Sequence, residues 1–391
     1  MDTRKSDERS RMKFIFDWRE YAGRARQMAA EGSVLLRNED GALPLREGER
    51  VSLFGRCAFE YYKSGTGSGG MVNAPYVISI PEGLRSSGKV RLNEELCAAY
   101  QDWIREHPFD RGSGWASEPF SQEEMPLDAE TVRRAAECSD AAVIVIGRSA
   151  GEDRDAEAAE GSYYLSAGER EMLSLVTAGF ARTIVLLNVG GIMDMQWVET
   201  YHPQAVMYLW QGGQEGGGAA ADLLTGQVSP SGRLADTIAK TLEDYPSTGH
   251  FGDPERNFYT EDVFVGYRYF ETFAKERVLY PFGFGLGYTS FAVETEEFLD
   301  TGREIRLSVG VQNTGTVSGK EVVQIYYQPP QGLLSKPRRN LIRFGKTRLL
   351  APGEKQTMQF VFSVEEMSSY DDGGATGHRS AWVLEAGAYR I

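Results

Sequence analysis

The densest chemistry in the chain lies in Arg148-Ser-Ala-Gly-Glu-Asp-Arg154, which follows the apolar run Ala141 to Ile146 and leads into Ser162-Tyr-Tyr-Leu-Ser166. A positioned carboxyl group can give or take a proton, and Glu152 is the candidate for that work. Asp153, Asp155, Glu157 and Glu160 would raise its pKa by like-charge repulsion, whereas Arg148 and Arg154 would lower it. The sequence leaves that balance open. Ser166 and Glu169 have capping-box spacing ahead of Met172, Leu173, Val176 and Phe180, so a helix begins just after Leu165 and closes the acidic loop. In a parallel α/β sheet, ligands bind at loops that leave the carboxyl ends of strands, where this loop would sit.

A second segment, Gly65-Thr-Gly-Ser-Gly-Gly70, satisfies the G-x-G-x-x-G pattern of dinucleotide sites, but its surroundings do not. About ten residues separate it from the preceding strand, it runs into Met-Val-Asn-Ala-Pro75 where a helix should open, and no acidic ribose partner follows about 20 residues on. His107, His202, His250 and His378 are scattered without ligand spacing, so no metal or other cofactor is expected.

The elements that must hold these loops follow from the apolar pattern. Runs at 33–37, 51–54, 141–146, 183–187 and 205–209 alternate with helical periods, and several lack polar alternation, as strands covered on both faces do. Asn93 and Asp128 are placed to cap two of the helices. The expected fold is α/β: a layered sandwich with a mainly parallel sheet over 18–240, behind a preamble at 1–17. Residues 241–290 are dense in aromatics and glycine and read as an ordered linker. From 291 to 391 the period becomes two, with Ile305, Leu307, Val309, Val311, Val323 and Ile325 on inward positions. Turns at Asn313-Thr-Gly315 and Pro352-Gly353 complete the signature of a β-sandwich, whose last strand is expected over 381–391.

Bulk properties narrow the function classes. The net charge of −14 opposes nucleic-acid binding and leaves a neutral substrate unpenalised. No apolar run approaches the roughly 20 residues needed to cross a bilayer, so no membrane partner is expected. The charged start, Met1 to Lys13, lacks a signal-peptide core, and Cys57, Cys97 and Cys138 are widely spaced and odd in number. A cytoplasmic location with buried, reduced thiols is the expectation.

The acidic loop resembles the acid/base loop of glycoside hydrolase family 3, in which a Gly-Glu pair precedes a Tyr-Leu-Ser helix start. Trp210-Gln-Gly-Gly-Gln-Glu-Gly-Gly217, Ser229-Pro-Ser-Gly-Arg233, Val263-Phe-Val-Gly-Tyr-Arg-Tyr-Phe270 and Tyr280-Pro-Phe-Gly-Phe-Gly-Leu-Gly-Tyr288 resemble its sandwich domain and the junction beyond it. Asn313-Thr-Gly315, Gly319-Lys-Glu-Val-Val-Gln324 and Leu350-Ala-Pro-Gly-Glu354 are similar to its fibronectin type III-like domain. The resemblance implies a retaining β-glycosidase, most often a β-glucosidase, with Glu152 as general acid/base and Glu160 as the fallback if the loop is shifted. It also implies that Lys63, Gly67 and Ser68 reach toward the sugar, with Arg148 and Arg154 as further contacts.

Retaining chemistry needs a second carboxyl group about 5 to 5.5 Å from the first. In the family this is an aspartate on a (β/α)8 barrel, a fold of roughly 250 residues for which this sequence has no pattern. Asp17, in Phe16-Asp17-Trp18, reads as a helix cap rather than a nucleophile. The order of segments resembles the family's reversed branch, in which the barrel follows the fibronectin-like domain. The expected partners are therefore a β-linked glycoside or oligosaccharide and a barrel from the same precursor or another polypeptide; a homo-oligomer stays open. The alternative is a catalytically silent carbohydrate-binding or interaction module.

Overall fold

The computed structural model describes residues 17–70, 72–253 and 255–391; the preamble before Asp17, including Met1 to Lys13 and Phe16, lies outside them. Asp17 caps the first helix, α1 (Trp18–Gly32), accepting the N–H groups of Arg19 and Glu20 at 2.9 and 3.0 Å. Six strands follow in one sheet: β1 (Val34–Asn38), β2 (Arg50–Phe54), β3 (Arg91–Leu92), β4 (Ala141–Arg148), β5 (Thr183–Val189) and β6 (Ala205–Tyr208). Their spatial order is β1-β6-β5-β4-β2-β3. All neighbours run parallel except β1, which pairs antiparallel with β6 at the edge. The short β3 carries too few residues to leave a periodic signal and was not anticipated.

The two faces of the central strands enter separate cores. Val143, Val145, Ile184 and Leu186 join one; Ile144, Ile146, Val185 and Leu187 join the other. Helices α2 (Ile80–Ser87), α3 (Glu94–Glu106), α4 (Ala129–Glu137), α5 (Ala167–Gly179), α6 (Trp197–Tyr201) and α7 (Gly216–Leu224) cover these faces. Ile80 and Leu84 of α2 and most of α7 seal the first face, whereas Val132 of α4 and Met172, Leu173 and Val176 of α5 seal the second. The caps at Asn93, Asp128 and Ser166 form as their spacing predicts. Close approach decides the glycines of 212–218: a Cβ on Gly217 would lie 2.3 Å from the Ile78 carbonyl oxygen. Cys57 and Cys97 are buried free thiols, but Cys138 is exposed, because it sits at the frayed end of α4.

The aromatic segment after 240 packs against this domain. Strand β7 (Ile238–Ala239) is followed by helix α8 (Tyr267–Phe273) and by β8 (Val278–Tyr280), which pairs with β7. The Leu234 N–H donates to the Phe284 carbonyl and the Gly283 N–H to the Leu234 carbonyl, and the Leu286 N–H donates to the Leu35 carbonyl, each at 2.8 Å. Beyond it, β9 (Phe291–Asp300), β10 (Glu304–Asn313), β11 (Val322–Tyr327), β12 (Asn340–Lys346) and β13 (Lys355–Ser363) form the fibronectin type III-like unit. They divide into a three-stranded sheet, β13-β10-β9, and a two-stranded sheet, β11-β12. Ile305, Leu307, Val309, Val311, Val323 and Ile325 all enter its core. The end of the chain differs from expectation: strand β14 (Ser369–Asp371) pairs with a short β15 (Ala381–Val383), and only an isolated bridge at Arg390 follows. The intervening Glu385 carboxylate turns away to the Lys336 ammonium and the Leu333 and Leu334 N–H groups, which breaks the strand.

Candidate active site

Two loops at the carboxyl ends of parallel strands build the site. The first leaves β2 and carries Lys63 to Gly70; the second leaves β4 and carries Glu152. They lock together through a parallel bridge between Thr66 and Gly151, with the Thr66 N–H donating to the Ala150 carbonyl at 3.0 Å. Glycine is required on both sides. A Cβ on Gly65 would meet the Ala150 oxygen at 2.0 Å, and one on Gly151 would meet the Thr66 nitrogen at 2.6 Å. The glycine run therefore opens no helix and forms only a single turn of 3-10 helix at 67–69, packed on the acidic loop.

Glu152 is exposed, and its Oε2 accepts the Ser68 main-chain N–H at 3.0 Å. That hydrogen bond, with the Ser68 hydroxyl adding to it, holds the carboxyl below its usual pKa. The cause is neither arginine. Arg148 is buried and binds both oxygens of Glu169, while its remaining N–H groups donate to the carbonyls of Gly147, Ser162 and Tyr164. Its guanidinium is thus occupied inside the loop it closes, which leaves no donor facing a ligand. Arg154 lies over the Phe120 ring, 4.2 Å from its centroid, and donates to the Ala116 carbonyl at 3.4 Å. The Lys63 ammonium reaches the Val72 carbonyl at 2.5 Å, while the Lys63 carbonyl accepts the Gly213 N–H. Glu160 accepts from Arg170 of α5 at 2.8 Å.

Of the candidates, the structure brings Gly67, Ser68 and Glu152 into direct contact: a Cβ on Gly67, where φ is +71°, would lie 2.5 Å from the Glu152 Cβ. The floor beneath them comes from the next two strands. The Asn188 amide at the end of β5 is fixed by Tyr62 and Trp210, and the Gln211 amide after β6 donates to the Arg148 carbonyl at 3.2 Å.

One contributor escaped the sequence. Segment 107–127 has no repeating pattern, yet it folds over the acidic loop, and the Trp115 indole N–H donates to Asp153 Oδ2 at 3.0 Å. Trp115 is 54% exposed beside Asp153. Its only signal was the Gly112-Ser-Gly-Trp115 turn, a large aromatic in a polar setting. Another group has the raised pKa that a proton donor needs: burial pushes Glu124 up to about 8. Its carboxylate, however, accepts the Arg56 main-chain N–H at 2.8 Å and is not among the groups at the opening. Among the described residues, no cluster of three or more His, Cys, Asp or Glu could hold a metal ion, and no helix is long and apolar enough to cross a membrane.

Residues 33–288 match the model of the glycosyl hydrolase family 3 C-terminal domain, and residues 321–391 match that of a fibronectin type III-like domain. The chain belongs to glycosyl hydrolase family 3. A relative, a β-glucosidase of Ruminococcus albus, is 49% identical over 95% of this chain and 39% of its own length. β-Glucosidase A of Butyrivibrio fibrisolvens is 40% identical over 93% of the chain and 48% of its own length. Among solved structures, a β-glucosidase from Paenibacillus barengoltzii superposes with a TM-score of 0.93 at 52% identity, over 96% of this chain and 41% of that one. β-Glucosidase 3B of Thermotoga neapolitana, solved with glucose, gives 0.86 at 36% identity, over 95% of this chain and 52% of that one. The chain thus spans about two fifths to half of the length of these relatives.

Proposed function

We propose that this family 3 chain is the acid/base-carrying portion of a retaining β-glycosidase, with β-glucosides as the first substrate class to test. Glu152 would protonate the departing oxygen and later deprotonate water. A barrel segment, from the same precursor or another polypeptide, would supply the aspartate nucleophile. The observation that carries this reading is the exposed Glu152 carboxylate, locked by Ser68 at the strand ends with its free face outward.

The depressed pKa of Glu152 gives the reading a direction. A carboxyl group held below its usual range is ionised at neutral pH and cannot donate a proton in that state. Closure by a partner surface would remove water from it and place a second carboxylate nearby, and both changes raise its pKa toward the working range of a general acid. Without a barrel aspartate to attack the sugar, the isolated chain is expected to turn over little.

The test is aryl β-glucoside hydrolysis by this chain alone and with a candidate barrel polypeptide, each against Glu152→Ala. Loss of about 10²- to 10⁴-fold in the completed enzyme, as removal of a general acid/base produces, is expected. The loss should be smaller with an activated leaving group and partly rescued by azide. Intact activity in Glu152→Ala would refute the assignment, and robust turnover by the isolated chain would refute the split site.

A further inference from the structure

The glycine-rich turn after β6, Trp210 to Gly217, has no part in the proton transfer proposed for Glu152, yet it touches both loops that build the site. The Gln211 amide donates to the Arg148 carbonyl at 3.2 Å, at the root of the acidic loop. The other contacts go to the loop after β2, which the turn grips at two feet. At the first foot, the Gly212 N–H donates to the Tyr61 hydroxyl and the Gly213 N–H to the Lys63 carbonyl, each at 2.9 Å. At the second, the Ile78 N–H donates to the Gln214 carbonyl at 2.9 Å, and the Ile78 carbonyl accepts the Gly217 N–H at 3.1 Å. Only glycine allows so close an approach: a Cβ on Gly216 would lie 2.3 Å from Cε1 of Tyr61.

One side-chain contact reinforces the second foot: the Tyr76 hydroxyl donates to Oε1 of Glu215. Glu215 is 5% exposed, and among the described residues Tyr76 is the only hydrogen-bond donor to its carboxylate. The nearby Arg26 guanidinium is committed to both oxygens of Asp222, at 2.6 Å each. A buried acceptor that loses its donor keeps the full cost of its desolvation, so Glu215 favours the one placement of Tyr76 that satisfies it. Tyr76 itself is 43% exposed, so packing alone does not fix it. Between the two feet lie Thr66, which bridges to Gly151, and Ser68, which binds Glu152. The Lys63 ammonium crosses to the Val72 carbonyl and joins the outgoing and returning parts of the loop. Where the Ser68 N–H points therefore depends on both feet.

We propose that Glu215 is a positioning residue that acts on Glu152 through Tyr76: the Glu215–Tyr76 latch fixes the second foot of the loop and thereby aims the Ser68 N–H at the Glu152 carboxylate. The inference rests on the glycosidase reading for its consequence in catalysis, whereas the latch belongs to this chain and is measured without turnover.

The measurement is the titration of Glu152 in the chain itself, followed by carbon-13 NMR of its labelled carboxyl group in the parent, Tyr76→Phe, Glu215→Ala and Glu215→Gln. The Ser68 N–H lowers the Glu152 pKa in the parent, and weakening a hydrogen bond to the ionised form raises it. Tyr76→Phe and Glu215→Ala should therefore bind the Glu152 proton at least about threefold more tightly. Glu215→Gln keeps an acceptor for Tyr76 and should return most of the way to the parent. Amide exchange in β4 and β5 should match the parent in all three variants, which separates a displaced loop from a loosened domain. An unchanged Glu152 titration in Tyr76→Phe, equal effects of Glu215→Ala and Glu215→Gln, or faster exchange throughout the sheet would each overturn the proposal. In the barrel-completed enzyme, Tyr76→Phe should lower kcat for an aryl β-glucoside at least about tenfold with KM within about threefold; an unchanged kcat would also overturn it. Intact activity in Glu152→Ala alongside the expected titration shifts would instead refute the acid/base reading and leave the latch standing.

Discussion

At the residue scale, Glu152, the proposed acid, is specified as much by what is missing around it as by its own carboxyl group. Gly67 lies in the left-handed region with its α-carbon hydrogen pointing at the Glu152 Cβ, so any side chain there competes with the acid for space. Gly67→Ala should displace Glu152 or break its hydrogen bond from Ser68. A misplacement of about 1 Å can cost about 10²-fold in rate, and a loss of that size in kcat of the completed enzyme, with a fold preserved by circular dichroism, is the expected result. The Ser68 contact uses a main-chain N–H, so Ser68→Ala should be much milder than Gly67→Ala. Comparing kcat for the two variants checks this order, and a reversal would assign the work to the hydroxyl.

At the scale of elements, the loop that carries Glu152 depends on the helix that follows it. Glu169 completes the capping box that begins α5 and simultaneously binds Arg148 at the end of β4, so one carboxylate fixes both ends of the loop between them. Both side chains are buried, at 6% and 2% exposure. Removing one partner strands the other charge, and breaking such a pair costs about 3–5 kcal/mol. Arg148→Ala should therefore lower stability by about that amount in denaturant titration. The same variant should make the 150–165 loop accessible to proteolysis before the sheet unfolds. A loss below 1 kcal/mol would show that the loop is held without the Arg148 guanidinium and would refute this role.

At the scale of the whole molecule, the fibronectin-like unit is fastened to the α/β unit by polar contacts clustered near one edge of the sheet. Lys346 donates to the Glu31 carbonyl and the Ser231 hydroxyl, Lys320 pairs with Glu31, and Arg233 pairs with Glu321. Burial works against the Glu31 charge, yet hydrogen bonds from Lys320 and Gln27 keep its carboxyl below the usual pKa. A group with a depressed folded pKa stabilises the folded state above its unfolded value and loses that contribution as pH falls through the folded one. Coupling between the two units should therefore weaken below about pH 4.5. Glu31→Gln should remove that pH dependence, which calorimetry would report as separation of two melting transitions at neutral pH. A single unchanged transition would show that the aromatic segment of 278–288 carries the coupling alone.

Much of this architecture was legible in the amino-acid order because it follows from local rules. Buried β4 and β5 announce themselves as unbroken apolar runs, β10 as strict alternation, and α3, α4 and α5 by their capping residues. Glu152 was legible as a candidate because its Gly-Glu pair sits between a strong strand and a capped helix, and the family resemblance reached the same residue. The tertiary structure alone decided the rest. The direction of β1 is expressed in its antiparallel pairing with the distant strand β6, and the state of Glu152 depends on Ser68, 84 positions away. Trp115 lies in a segment without periodicity, so only its docking on Asp153 brings it to the acidic loop. Sequence determines which groups can ionise, cap or pack because those properties belong to short stretches of chain. Which charge meets which donor is set by contacts between distant segments, and such contacts exist only once the sheet has brought its strand ends together.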